Sequence, residues 1–277
     1  MFTGSLWTTL ESNKLSDAAK KARTEISADL YDYCNPRNTM LLPFLGPPGH
    51  KSDRFAYNEN NEFLFHGRES FKHLVEQVLS LRPDSGRQFL HVYGSLGVGK
   101  SHLMAALACF LTRTGKRVAF LPDCVALLHR PLLSMCHALT LAFQDKPLAI
   151  DSIWEAKTID ELATLAMDIS FEFPVYYLID QANALDTMAE GVDRVPQDTK
   201  DTVKQLLNKL AVCNVKIESS TANYKHGLNY KSRDVNEIKL NIFTGFQNVF
   251  TPSPPSASMR PNSHIGRNPA VVGRGRW

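Results

Sequence analysis

Gly94-Ser-Leu-Gly-Val-Gly-Lys-Ser101 follows an apolar run, Phe89-Leu-His-Val-Tyr93, and leads into Ser101-His-Leu-Met-Ala-Ala-Leu-Ala-Cys-Phe-Leu-Thr-Arg-Thr114, whose apolar residues recur at helical spacing. Gly94, four intervening residues and then Gly99-Lys100-Ser101 match the phosphate-loop pattern G-x-x-x-x-G-K-[ST] in full. Strand, loop and helix arrive in the order that the motif needs, and Gly115 supplies the helix stop. Glycines let the backbone turn tightly and aim several N–H groups at one point, where the positive end of the helix dipole also lies. An anion is the expected occupant. The residues expected to hold a nucleotide are Gly94, Ser95, Leu96, Gly97, Val98, Gly99, Lys100, Ser101 and His102. Lys100 is expected to reach the β- and γ-phosphates, and the Ser101 hydroxyl to complete the coordination of Mg²⁺. The competing reading is a glycine-rich turn that caps a helix and binds nothing.

A phosphate loop alone gives binding, and hydrolysis needs an acidic residue from a separate strand. Pro174-Val-Tyr-Tyr-Leu-Ile-Asp180 supplies one: an apolar strand ends in a carboxylate, at the mouth where ligands of parallel sheets lie. This is the Walker B pattern, with Asp180 as the second metal-holding residue beside Ser101. Asp180 and Gln181 are the expected catalytic pair. Many hydrolysing members of the class carry Glu where this chain has Gln181. An amide can orient a water but cannot take its proton, so slow turnover is expected. Asp186 is a nearby alternative base.

Asn214-Val-Lys-Ile-Glu-Ser-Ser-Thr221 alternates apolar with polar residues and ends in hydroxyls followed by Asn223. In phosphate-loop proteins of the additional-strand class, a strand between those of the loop and the acidic residue carries a polar sensor. Ser220, Thr221 and Asn223 are candidates, against ordinary turn chemistry at a strand end. Upstream, Phe65-His-Gly-Arg-Glu69 resembles a segment that walls the adenine pocket in signal-transduction ATPases with numerous domains, which makes Arg68 a further nucleotide candidate; a charged helix start explains the triplet as well. No residue singles itself out as an arginine finger among Arg113, Arg117 and Arg194.

Strands are expected at about 89–93, 117–121, 175–180, 215–220 and 237–243, and helices at 69–81, 100–114, 131–144, 159–168 and 198–212. Alternating helices and strongly apolar strands argue for an α/β fold: a three-layer α/β/α sandwich with a mainly parallel sheet, of the additional-strand class of P-loop NTPases. Residues 1–41 read as a helical N-terminal extension of one or two amphipathic helices, 42–250 as the NTPase domain and 251–277 as a disordered basic tail, rich in Pro, Ser and Gly without acidic residues.

At this point the chain resembles a particular family. Leu42-Pro-Phe-Leu-Gly-Pro-Pro-Gly49, Arg54-Phe-Ala-Tyr-Asn58, the stretch Phe65 to Phe71, the loop with Ser101 to Leu107, Leu121-Pro-Asp-Cys124 and Ile179-Asp-Gln-Ala-Asn-Ala-Leu-Asp186 look like the nucleotide-binding region of Crinkler proteins. The resemblance implies a STAND-like ATPase module taking ATP and Mg²⁺, followed in the family by a further C-terminal domain, often nuclease-like. It also implies an effector or intracellular conflict role. After Phe246 this chain departs from the family pattern, and a natural short form, an altered reading frame and a functional basic tail are all open.

Composition fits an intracellular globular protein. A chain of 277 residues with 43% hydrophobic content can bury a substantial core. The net charge is only +3, so nucleic acid is a partner that charge does not support. The five cysteines lack metal spacing and read as reduced thiols, and no run reaches membrane-spanning length. An N-terminal secretion signal is not recognisable. Two readings of function stand: a slow Mg-ATP switch coupled to an unknown protein partner, and an ATPase acting on nucleic acid like transposition helpers or helicase loaders. A third, a relic without its lid, predicts weak binding.

Overall fold

The computed structural model describes residues 4–47, 54–83, 88–95, 97–186, 195–221 and 237–241, with side chains from residue 14 onward except those of Thr221 and residues 237–241. The tail expected at 251–277 lies outside them.

Five strands form one all-parallel sheet: β3 (Gln88–Gly94), β4 (Arg117–Leu121), β5 (Val175–Ile179), β6 (Val215–Thr221) and β7 (Glu237–Asn241), in the order β4-β5-β6-β3-β7. The strand inserted between the loop strand β3 and the acidic strand β5 is β6, which is the additional-strand arrangement expected from the sequence. Every residue of β5 is buried, as a strand covered on both faces requires.

Alternation along the strands divides the core in two. Leu90, Val92, Val118, Phe120, Tyr176, Leu178, Val215 and Ile217 face a layer with α3 (Glu69–Ser80) and α4 (Lys100–Arg113). Ala119, Leu121, Val175, Tyr177 and Ile179 face the other layer, which includes α5 (Cys124–His129), α6 (Pro131–Ala142), α8 (Ile159–Glu172) and α9 (Gln197–Leu210). The result is a three-layer α/β/α sandwich with the P-loop NTPase fold. Helix α7 (Pro147–Glu155) packs on α6 and α8 through buried Ile153.

The N-terminal residues share this core. Leu15, Ala19 and Ala22 on α1 (Gly4–Thr24) are buried at helical spacing against α4, and Lys21 pairs with Glu62, which is 2% exposed. The Arg113 guanidinium, at the C-terminus of α4, donates to the backbone carbonyls of Arg23 and Ile26. After α2 (Leu30–Cys34) the chain forms a hairpin absent from the sequence expectation, β1 (Thr39–Pro43) antiparallel to β2 (Glu62–His66). Leu42, Phe44, Phe63 and Phe65 carry it into the α4 side of the core.

Burial also makes this core pH-sensitive. His102 and His137 are both held below the ordinary 6.5, chiefly by removal from water. Each is neutral in the fold, so below pH 6.5 the unfolded chain binds the proton first and gains on the native state. Stability is therefore expected to be complete above about pH 6.5 and to fall as the pH drops through the lowered native values. Thermal melts between neutral and mildly acidic pH check this, and His137→Gln should flatten part of the slope.

Candidate functional site

The loop between β3 and α4 is built around glycine geometry. Gly97 and Gly99 sit at φ 82° and 81°, the left-handed region, and Gly99 directly precedes the first residue of α4. A side chain at Gly99 would also collide with Arg68, since a Cβ there would lie 2.8 Å from its Nη1. Arg68 leads α3 and donates from Nη1 to the Val98 carbonyl at 2.8 Å, so it braces the loop from outside. Its guanidinium is half-buried, which holds its pKa below the usual value. The sequence candidate Arg68 therefore meets the loop backbone itself. Gly67 beside it is required by close approach: a Cβ there would meet the Asn35 carbonyl oxygen at 2.2 Å.

Lys100 is 5% exposed and crosses the loop, donating to the carbonyls of Gly94 at 2.9 Å and Ser95 at 2.8 Å. Burial lowers its pKa, and nearby Asp180 opposes that shift. Leu96 and Asn223 lie outside the described residues. His102 turns toward aromatic rings: its imidazole stacks on Phe55 at 4.6 Å and meets Phe63 edge-on at 6.0 Å.

Asp180 emerges from β5 with its carboxylate almost wholly buried, at 2% exposure. Both oxygens are engaged: Oδ1 accepts from the Ser219 hydroxyl, and Oδ2 accepts from Arg54 Nη1 at 2.7 Å. Ser219 was not among the hydroxyls singled out from the sequence. The period-two pattern carries the signal, because Val215 and Ile217 on the same strand face the α4 side and Ser219 continues that row. Ser220, the next residue along the strand, bonds His91 Nε2 at 3.0 Å. The Thr221 backbone pairs with Gly94 at the end of the ladder.

Gln181 adopts φ 61°, one of two non-glycine residues in the left-handed region among those described. For a residue with a Cβ this costs about 1–2 kcal/mol and is held only by surrounding contacts. Those contacts are visible. With its amide oriented to suit its neighbours, Gln181 donates to Asp123 Oδ1 at 3.1 Å and accepts from Arg54 at 3.0 and 3.3 Å. Asp123 caps α5, its Oδ1 accepting from Val125 N and Ala126 N. Asp186, the alternative base, pairs with Lys204 of α9 at 3.4 Å.

Arg54 was quoted from the sequence without a role, yet it stands at the centre. Its Nη1 lies 3.1 Å from Ser101 Oγ and 2.7 Å from Asp180 Oδ2, and Nη2 donates to the Pro122 carbonyl at 3.3 Å and lies 3.9 Å from Asp123. Phe55 anchors it, packed between Phe44 at 5.1 Å, Phe63 at 5.4 Å and His102. Of the arginines considered as fingers, Arg113 is committed to the carbonyls of Arg23 and Ile26 and Arg117 is bidentate to Asp145, and Arg194 lies outside the described residues. Oxygens of Ser101 and Asp180 thus converge on one positive group, a donor set that fits a hard divalent cation. Mg²⁺ takes few protein oxygens and fills the rest of its octahedron from phosphates and water, a demand this pair would meet.

No known protein-family description matches the chain, and no curated protein does. Solved structures match it in part. A chain of the E. coli MS115-1 HORMA:CdnC:Trip13 complex aligns at 11% identity over 78% of this chain and 71% of that one, with a TM-score of 0.32. AMPPCP-bound DnaA from Aquifex aeolicus aligns at 18% identity over 62% of this chain and 44% of that one, with a TM-score of 0.30. The FIGL-1 AAA domain in complex with ADP aligns at 9% identity over 79% and 63%, with a TM-score of 0.34. The chain therefore spans less than half of the DnaA chain. Strand order and the loop, rather than these likenesses, define the fold. Among the described residues no helix is long and apolar enough to cross a membrane.

Proposed function

We propose that the chain is an ATP-binding P-loop module of a Crinkler-like protein, working as a slow Mg-ATP-dependent switch that passes nucleotide state to a protein partner. The observation that carries this reading is the placement of Lys100 and Ser101 on the loop opposite Asp180, at the carboxyl ends of β3 and β5, with an amide at the position after the acid. Backbone N–H groups of the loop and the α4 dipole attract the phosphates, and Lys100 exchanges its loop carbonyls for phosphate oxygens. Arg68 keeps the loop in shape while this happens. Ser101 and Asp180 hold Mg²⁺, which when bound neutralises charge on the phosphates.

Gln181 limits the chemistry. It orients water through its amide but has no basic site, and its hydrogen bonds to Asp123 and Arg54 tie it down. Nucleotide would then persist long enough for its presence to be read by a partner. Purified protein is expected to bind ATP with Mg²⁺ and turn it over far more slowly than it binds. Gln181→Glu, by restoring a base, should raise turnover about 10²-fold, within the range general-base catalysis supplies, as measured by phosphate release. Turnover that is already fast, unaffected by that change and stimulated by DNA would favour a nucleic-acid motor instead.

A further inference from the structure

We propose that the Arg54 guanidinium is a built-in counterion occupying the divalent-cation position of this site, so that the metal-free fold is stable and nucleotide can be held without metal. The proposal deepens the nucleotide reading above and rests on it for its second half.

Charge and geometry carry the argument. A carboxylate buried like Asp180 needs a compensating charge or a metal, because an isolated ion out of water is strongly unfavourable. Ser219 supplies a hydrogen bond to it without charge. The charge in direct contact comes from Arg54, with the Lys100 ammonium acting on Asp180 only through space; Arg54 Nη1 touches both Ser101 Oγ and Asp180 Oδ2, the two oxygens a magnesium ion would take. A guanidinium and a divalent cation cannot share those oxygens, since at contact distances they repel steeply. Entry of metal therefore requires Arg54 to withdraw.

A second seat is available to it. The Pro122 carbonyl, Asp123 and the Gln181 amide oxygen already contact the guanidinium and remain as partners once Nη1 has left Asp180. Phe55, fixed among Phe44, Phe63 and His102, keeps the backbone of Arg54 in place, so the exchange needs only side-chain rotation. With Arg54 on the cation point, its positive charge and that of Lys100 face the phosphate position together. Polyphosphate is then neutralised without metal, and metal adds little to affinity.

The experiment has a nucleotide-free arm and a nucleotide arm, on the full chain. Thermal melts are recorded in chelator and in millimolar Mg²⁺ for wild type, Arg54→Ala and the double variant Arg54→Ala with Asp180→Asn, which removes the stranded charge and so is expected to fold. Wild type should not respond to Mg²⁺. Arg54→Ala should melt lower in chelator and rise with Mg²⁺, and the double variant should not respond. A wild type stabilised by Mg²⁺ as much as Arg54→Ala, or an Arg54→Ala protein indifferent to it, overturns the proposal. In the second arm a fluorescent ATP analogue is titrated with and without chelator. The wild-type dissociation constant should change less than about threefold, and that of Arg54→Ala more than about tenfold, equivalent to about 1.4 kcal/mol. An unchanged or smaller ratio in the variant overturns the claim. A folded wild type that binds no analogue in either buffer contradicts the nucleotide reading instead, while the melts still decide the role of Arg54.

Discussion

Lys100→Ala is expected to weaken ATP binding at least 100-fold while leaving the fold intact. The side chain ends in an ammonium held by two loop carbonyls and almost excluded from water, so it is preorganised for a polyanion. Charge-assisted hydrogen bonds contribute about 1.5–3 kcal/mol each, and two of them to phosphate oxygens account for a loss of that size. Alanine removes no core contact of the sheet, and it leaves two carbonyls that water can reach once the side chain is gone. The melting temperature should therefore move little, whereas calorimetric titration with ATP should lose its signal at micromolar concentrations. Because burial lowers the Lys100 pKa, wild-type affinity should also decline as pH rises through that lowered value, where the free protein sheds a proton that bound phosphate restores.

Asp180→Asn should separate binding from chemistry. Asparagine keeps the shape and an oxygen for the Ser219 hydroxyl, but it loses the charge that Arg54 or a metal requires. Nucleotide contacts to the loop do not pass through this side chain, so affinity should stay within about tenfold of wild type. Turnover should fall about 1,000-fold, because metal-based charge stabilisation is worth several kcal/mol and each 1.36 kcal/mol is tenfold in rate. Single-turnover hydrolysis under saturating ATP measures this directly. Equal loss of binding in Asp180→Asn and Lys100→Ala would mean that the two residues act as one structural unit.

The framework of the site was legible because its signals are local. The loop announces itself within eight residues, the strands of the sheet are short apolar runs closed by turn residues, and α9 shows its buried face through Val203, Leu206, Leu207 and Leu210. The parallel order follows from alternation of helix and strand. The hairpin of β1 and β2 was not legible, since Thr39-Met-Leu-Leu-Pro43 carries no alternation and stands next to a stretch rich in Pro and Gly. Arg54 was hidden for a different reason. Its partners lie 47 and 126 residues away, and no periodicity encodes a contact made by the closing of the fold. Ser219 was within reach: following the row of Val215 and Ile217 for one more step selects it over Ser220.

These particulars also explain why Gln181 is strained. A left-handed backbone at the end of β5 lets its side chain turn back over the Arg54 and Asp123 pair, and the same turn leads into the 3-10 segment Ala182–Leu185, whose apolar residues are buried. The amide is thus part of the wiring around the cation point as well as a placeholder for a base.

This loop is expected to hold ATP and to hydrolyse it slowly. Equilibrium binding and phosphate release measured on the same preparation, with Mg²⁺ and with Lys100→Ala beside wild type, test it most directly. ATP should be bound by wild type, lost in the variant, and turned over well below the roughly 1 s⁻¹ at the low end of ordinary enzymes. A folded wild type that ignores ATP, or one whose binding survives Lys100→Ala unchanged, contradicts it.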